Sequence, residues 1–135
     1  SSRRQRQMCI RDSPNDDNKK IILTNAALTE GLVDASLLYV YSIRYAGDQK
    51  PSEVWQKLQL TKIENTIDYL DKNVSNDFNP SKVYISHIGL IVALDYLNFR
   101  KIYDWEMKTK NLDAWHKQVS ASMPGYKETY PKDPS

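Results

Sequence analysis

The fifteen residues Ile85–Phe99, ISHIGLIVALDYLNF, decide the fold. Apolar side chains occupy nearly every face of this stretch, the composition of a helix buried among other helices. A buried strand can share that composition, but strands run to roughly 5–6 residues and need a partner. No second strand-like run exists to pair with it. The segment is therefore expected to be the central helix of an all-helical domain.

Working outward, the preceding residues Ser75–Lys82, with Asn76, Asp77, Asn79 and Pro80, read as a polar turn-forming linker. Before it, Leu60, Ile63, Ile67, Leu70 and Val74 recur at three and four, which gives one apolar helical seam. Pro51 suits the first turn of that helix, and Glu53 sits near the positive end of its dipole. Further back, residues 16–46 contain no proline. Leu28, Leu32, Ala35 and Tyr39 form one row and Val33, Leu37 and Val40 a second, the wide stripe of a helix more than about 40 Å long. Asn15, Asp16 or Asp17 can cap it, Gly31 is a place for it to bend, and Gly47 suits its C-terminal stop. Downstream, Leu112, Trp115, Val119 and Met123 mark a last helix that Pro124-Gly125 ends, and the tail after Tyr126 is expected to be extended or disordered. The expected fold is all-α, a bundle of four main helices.

The charge balance is misleading until the first residues are set apart. The chain carries 19 Lys and Arg against 17 Asp and Glu, a net charge of +2. Residues 3–13, RRQRQMCIRDS, hold four of those bases, one of the acids and the only cysteine, Cys9. Without them fifteen bases face sixteen acids, so a nucleic-acid-binding arm would have no basic body behind it. Met8, Cys9 and Ile10 are too short for the apolar core of a secretory signal. The segment resembles the translation of a transposon-derived sequencing adapter, and residues 1–13 are accordingly set aside as a non-native leader. On that reading natural sequence begins at Pro14, the domain covers residues 14–131, and residues 132–135 are a tail. The remaining body has no cysteine for a disulfide framework, a Cys-based zinc site or a thiol nucleophile. No run approaches the roughly 18 apolar residues of a membrane span. Neither nucleic acid nor membrane is expected as a partner, and a cytoplasmic location is.

Chemistry-bearing motifs are sparse. There is no Gly-rich phosphate loop, no HExxH and no nucleophile with an evident base. His87 and His116 lie on different helices and read as structural or exposed residues. Tyr39, Tyr41 and Tyr45 could line an aromatic pocket, but core packing or coverage of the helix surface is the expected role. Asp95 stands out inside the most apolar helix; it is expected to be a buried carboxylate satisfied by a backbone donor or by Arg100, the alternative being an active-site role.

A resemblance carries the reading further. GLIVALDYLNFRKIYDW, followed by NLDAWHKQVSASMPGYKETYP, resembles the end of a bacterial-type cytosolic glutathione S-transferase. Tyr96, Leu97, Phe99, Arg100, Asp104, Trp105, Leu112, Trp115, Pro124, Thr129 and Pro131 fall on its positions, and NAALTEGLVDASL is similar to the family's long first C-terminal helix. Departures occur at Tyr84 and His87, where Ser or Thr and then Asp are usual, so the central helix is expected to take another cap, Ser86. Lys110, Met123 and Gly125 stand where Pro, Arg and Ser are usual.

The resemblance implies that the chain is a fragment. In the family an N-terminal thioredoxin-like domain holds glutathione, the co-substrate, and supplies the residue that stabilises its thiolate; the helical domain walls the pocket for a small-molecule electrophile. No catalytic residue, metal ligand or bound cofactor is therefore assigned to this chain, and the whole protein is expected to be a homodimer. Asp34 is expected to reach toward the amino end of glutathione and Tyr41 to line the electrophile pocket. Tyr103, Trp105, Tyr126 and Tyr130 are the candidates for an apolar face turned to the missing domain. The alternative is a non-catalytic helical adaptor for protein assembly, because one fold hosts unrelated functions.

Overall fold

The computed structural model describes residues 16–132, with side chains described from residue 19. The leader with Cys9, the choice among Asn15, Asp16 and Asp17 as a cap, and the last three residues lie outside the described residues and side chains. The described chain is all helix and turn: α1 (Asp16–Arg44), α2 (Glu53–Asp77), α3 (Ile85–Phe99), the short α4 (Trp105–Lys108), α5 (Asn111–Ser122) and the short α6 (Tyr126–Thr129). No strand occurs among the described residues. The four long helices are the four expected. Helix α1 runs unbroken through Gly31, and the turn after it places Gly47 at a φ of 62°, where a side chain would be strained.

Helices α1 and α2 pack as an antiparallel pair, because Asn25 near the start of one donates to the carbonyl of Asp77 at the end of the other over 2.6 Å. Helix α3 lies against α1, and α5 against α2. Leu32 and Ala35 of α1, Ile63, Ile67, Leu70 and Val74 of α2, Leu90, Leu94 and Leu97 of α3, and Leu112, Trp115 and Val119 of α5 form one buried core. Gly89 brings α3 close to α1, since a Cβ there would sit 3.3 Å from the methyl of Thr29.

Several boundaries differ from the sequence expectation. Ser75, Asn76 and Asp77 belong to α2, whose last turn closes on Phe78; the polar linker begins only there. The residues after Tyr126 form a helical turn instead of an extended segment, entered through Gly125 in the left-handed region at φ 74°. Ser86 is not the cap of α3. The N-terminal residue is Tyr84, whose N–H donates to Nδ1 of His87 over 3.2 Å. Lys110 offers α5 no side-chain cap; instead the Asp71 carboxylate of α2 accepts from the N–H groups of Asn111 and Leu112, both at 2.9 Å. Residues Lys19–Arg44 do pass a length-and-composition test for a membrane span, against the expectation above. Within the bundle that helix turns Asn25, Thr29, Leu32, Ala35 and Ser36 inward and leaves most of its other residues partly or fully exposed.

Candidate functional site

The residues singled out for ligand contact sit on the outer side of α1. Leu32, Ala35 and Ser36 take its inner face, and helical spacing sends Asp34, Leu38, Tyr41 and Tyr45 outward, where all four are exposed. Asp34 and Tyr41 are two turns apart, about 10 Å along the axis. Tyr41 is thus no core residue. Its ring lies 5.6 Å from that of Tyr45 at 57°, a tilted aromatic pair at the C-terminal end of the helix. Tyr39 is half-buried and does not join them. The surface is a strip of aromatic and aliphatic side chains, with the Asp34 carboxylate and, one turn before it, that of Glu30.

A second apolar strip lies on the neighbouring helix. Ile85, Ile88 and Val92, spaced three and four along α3, are 58%, 43% and 59% exposed. The sequence suggested a helix covered on all sides, so this is a correction. The three side chains make an exposed aliphatic row on the central helix of the bundle. The face expected from sequence is different: Trp105 is fully buried, and Tyr103, Tyr126 and Tyr130 are half-buried. The indole N–H of Trp105 donates to the Leu94 carbonyl over 3.0 Å, which anchors α4 to α3.

Asp95 proves to be the hub of a buried polar cluster. It is 4% exposed. Its Oδ1 accepts from Nε2 of His116 on α5 at 2.8 Å, and its Oδ2 accepts from the Tyr126 hydroxyl at 2.7 Å. The carboxylate thereby ties α3, α5 and α6 together. Arg100 plays no part; it is exposed and stacks over the rings of Phe99 and Tyr96. Burial, then the hydrogen bond to Asp95, raises the Tyr126 hydroxyl well above the ordinary tyrosine range. His116 packs its ring 5.2 Å from Trp105. With every oxygen of the carboxylate taken and the indole against the imidazole, the cluster is built to hold the C-terminal turns. Sequence reasoning could flag Asp95 by its position but had no means of pairing it with residues 21 and 31 positions away.

A shallow depression of about 270 Å³ lies at the end of α3, lined by Leu97, Asn98, Lys101, Ile102, Tyr103 and Asp104. Lys101 adopts a φ of 53° in the turn that forms it. Burial, then the carboxylates of Glu64 and Asp68 on α2, raises the pKa of the Tyr103 hydroxyl in this turn. Among the described residues no group of His, Cys, Asp and Glu side chains could hold a metal ion.

No protein-family model matches the chain. No curated protein matches it. Solved structures do. One is a glutathione transferase family member from Pseudomonas fluorescens Pf-5 with bound S-(propanoic acid)-glutathione, 29% identical at a TM-score of 0.77 over 87% of this chain and 60% of that one. Another is a glutathione transferase family member from the same organism with bound glutathione, 30% identical at a TM-score of 0.77 over 85% of this chain and 56% of that one. The chain thus has a glutathione-transferase-like fold, that of the all-helical C-terminal domain, and spans less than two thirds of either neighbour.

Proposed function

We propose that this chain is the helical part of a glutathione transferase, lacking the thioredoxin-like domain that would carry the chemistry. The observation that supports the reading is the lopsided match: nearly all of this chain aligns, whereas about two fifths of each neighbour has no counterpart here. In the whole protein the glutathione thiolate would attack an electrophilic carbon, forming the sulfur–carbon bond as the leaving group departs. The part of this chain would be positional. Asp34 would meet the ammonium end of glutathione by charge complementarity, and Tyr41 with Tyr45 would wall the electrophile. The strip Ile85, Ile88 and Val92 would be covered by the missing domain. The protein would act in the cytoplasm as a homodimer.

The test is to express the chain together with whatever its gene encodes upstream of Pro14 and to assay glutathione conjugation. A thioredoxin-like domain and measurable conjugation are expected; an unrelated upstream region, or a complete protein that ignores glutathione, overturns the reading in favour of an assembly adaptor. In the complete enzyme Asp34→Ala is expected to weaken glutathione binding about tenfold, the loss of one charge-assisted contact. Unchanged affinity by calorimetry removes Asp34 from the site.

A further inference from the structure

We propose that His87 is an acid-sensitive fastener of the α3 N-terminus, holding the first turn closed only while its imidazole is neutral. His87 is 2% exposed. Its Nδ1 accepts from the Tyr84 N–H at 3.2 Å, and its Nε2 lies 3.0 Å from the Asn79 carbonyl, which can only accept. One tautomer satisfies both contacts: hydrogen on Nε2, a lone pair on Nδ1. In that form the ring closes the loop 79–84 onto the helix and satisfies an N–H at its start. Protonation places a second hydrogen on Nδ1, where it meets the Tyr84 N–H head-on. The cap is lost and donor faces donor.

Among the described residues no charged side chain compensates. The ring sits 5.4 Å from Phe78 and 6.1 Å from Trp115 of α5, which offer only aromatic surface. From the end of α2, the Asp77 carboxylate accepts from the Tyr69 hydroxyl. In the loop, Lys82 lies over the Tyr84 ring at 5.4 Å, and α1 approaches this end of α3 through uncharged Thr29. Among the described residues no carboxylate pairs with His87. Burial lowers its pKa below the ordinary histidine value, with the Asn79 carbonyl pulling the other way. The sign follows: a depressed folded-state pKa gives stability that is present above about pH 6.5 and lost as pH falls through the folded value. Ile85 and Ile88 ride on the turn that would open, so acid would disturb the exposed aliphatic strip first. This inference stands independently of the proposed enzymatic role.

Hydrogen exchange of the intact chain, compared at pH 7.5 and 5.5 after correction for intrinsic rates, tests the idea. The amides of His87 and Ile88, which donate to the Tyr84 carbonyl, are expected to lose about tenfold in protection, while those of α5 hold. His87→Gln, whose amide can accept and donate in the same two places without titrating, is expected to abolish that pH dependence. Unchanged protection in the unsubstituted chain, or the same loss in His87→Gln, overturns the proposal. Should the variant fail to fold, an imidazole titration of the unsubstituted chain by NMR decides alone: a His87 midpoint below 6.5 that coincides with the loss of protection supports the fastener, and one at or above 6.5 overturns it.

Discussion

Two ends of one stripe of α3 invert the usual assignment of residues to water and interior, for Ile85, Ile88, Val92 and Asp95 follow one another at three, four and three. At the N-terminal end Ile85, Ile88 and Val92 stand in solvent; one turn further on, Asp95 is buried. The difference is the supply of partners. Asp95 faces two donors, His116 and Tyr126, brought from later helices, so a group whose unpaired burial is costly becomes a tie between three elements. The aliphatic row has no element of the described chain to cover it. Polarity alone therefore predicts the wrong side for four residues of one helix, and both errors come from contacts distant in sequence.

The largest effect should come from breaking the buried end of the stripe. Asp95→Ala strands the imidazole N–H of His116 and the hydroxyl of Tyr126, each without an acceptor. A loss of about 2–4 kcal/mol in urea denaturation is expected. A loss below about 0.5 kcal/mol would mean that water replaces the carboxylate and that the buried end is not the rigid one.

Tyr126 allows a gentler cut. Tyr126→Phe removes one neutral donor from a carboxylate that keeps His116, so about 1 kcal/mol is expected from the same measurement. The hydroxyl also has a pH signature. Its folded-state pKa is raised by burial and by Asp95, so its stabilisation is complete below about pH 10 and declines as pH rises above that value, when the unfolded chain ionises first. The unsubstituted chain should lose stability faster between pH 10 and 11.5 than Tyr126→Phe does. Parallel curves would show that the hydroxyl does not hold α6 to the bundle.

The smallest effect on stability is expected at the exposed end. Ile88→Ser and Val92→Ser together should move the denaturation midpoint by no more than the equivalent of about 0.5 kcal/mol per substitution, the usual range away from packed sites. Hydrophobic-dye fluorescence should fall in the same variants, because the strip that binds the dye has been broken. A marked loss of stability would erase the contrast between the two ends and place these residues in the core.

What the sequence determined by itself was everything that repeats at short range. The three-and-four spacing of Leu60, Ile63, Ile67, Leu70 and Val74 selects the buried side of α2, and the mostly apolar run places α3 at Ile85–Phe99. Those signals survive because a helix face is a local property of the backbone, set by 3.6 residues per turn. The outward placement of Asp34 belongs to the same class. What only the tertiary structure decided was pairing. Asp71 capping α5, His87 capping α3, and the choice of His116 and Tyr126 over Arg100 as partners of Asp95 each join groups set by the packing of whole helices. A capping acceptor needs only a lone pair within hydrogen-bond distance of a free N–H, and many side chains qualify; which one arrives is fixed by the helix that carries it. The same holds for Trp105, which reads as a surface aromatic until the turn after α3 folds it under Leu94, and for Ile88, which reads as core until no helix arrives to cover it.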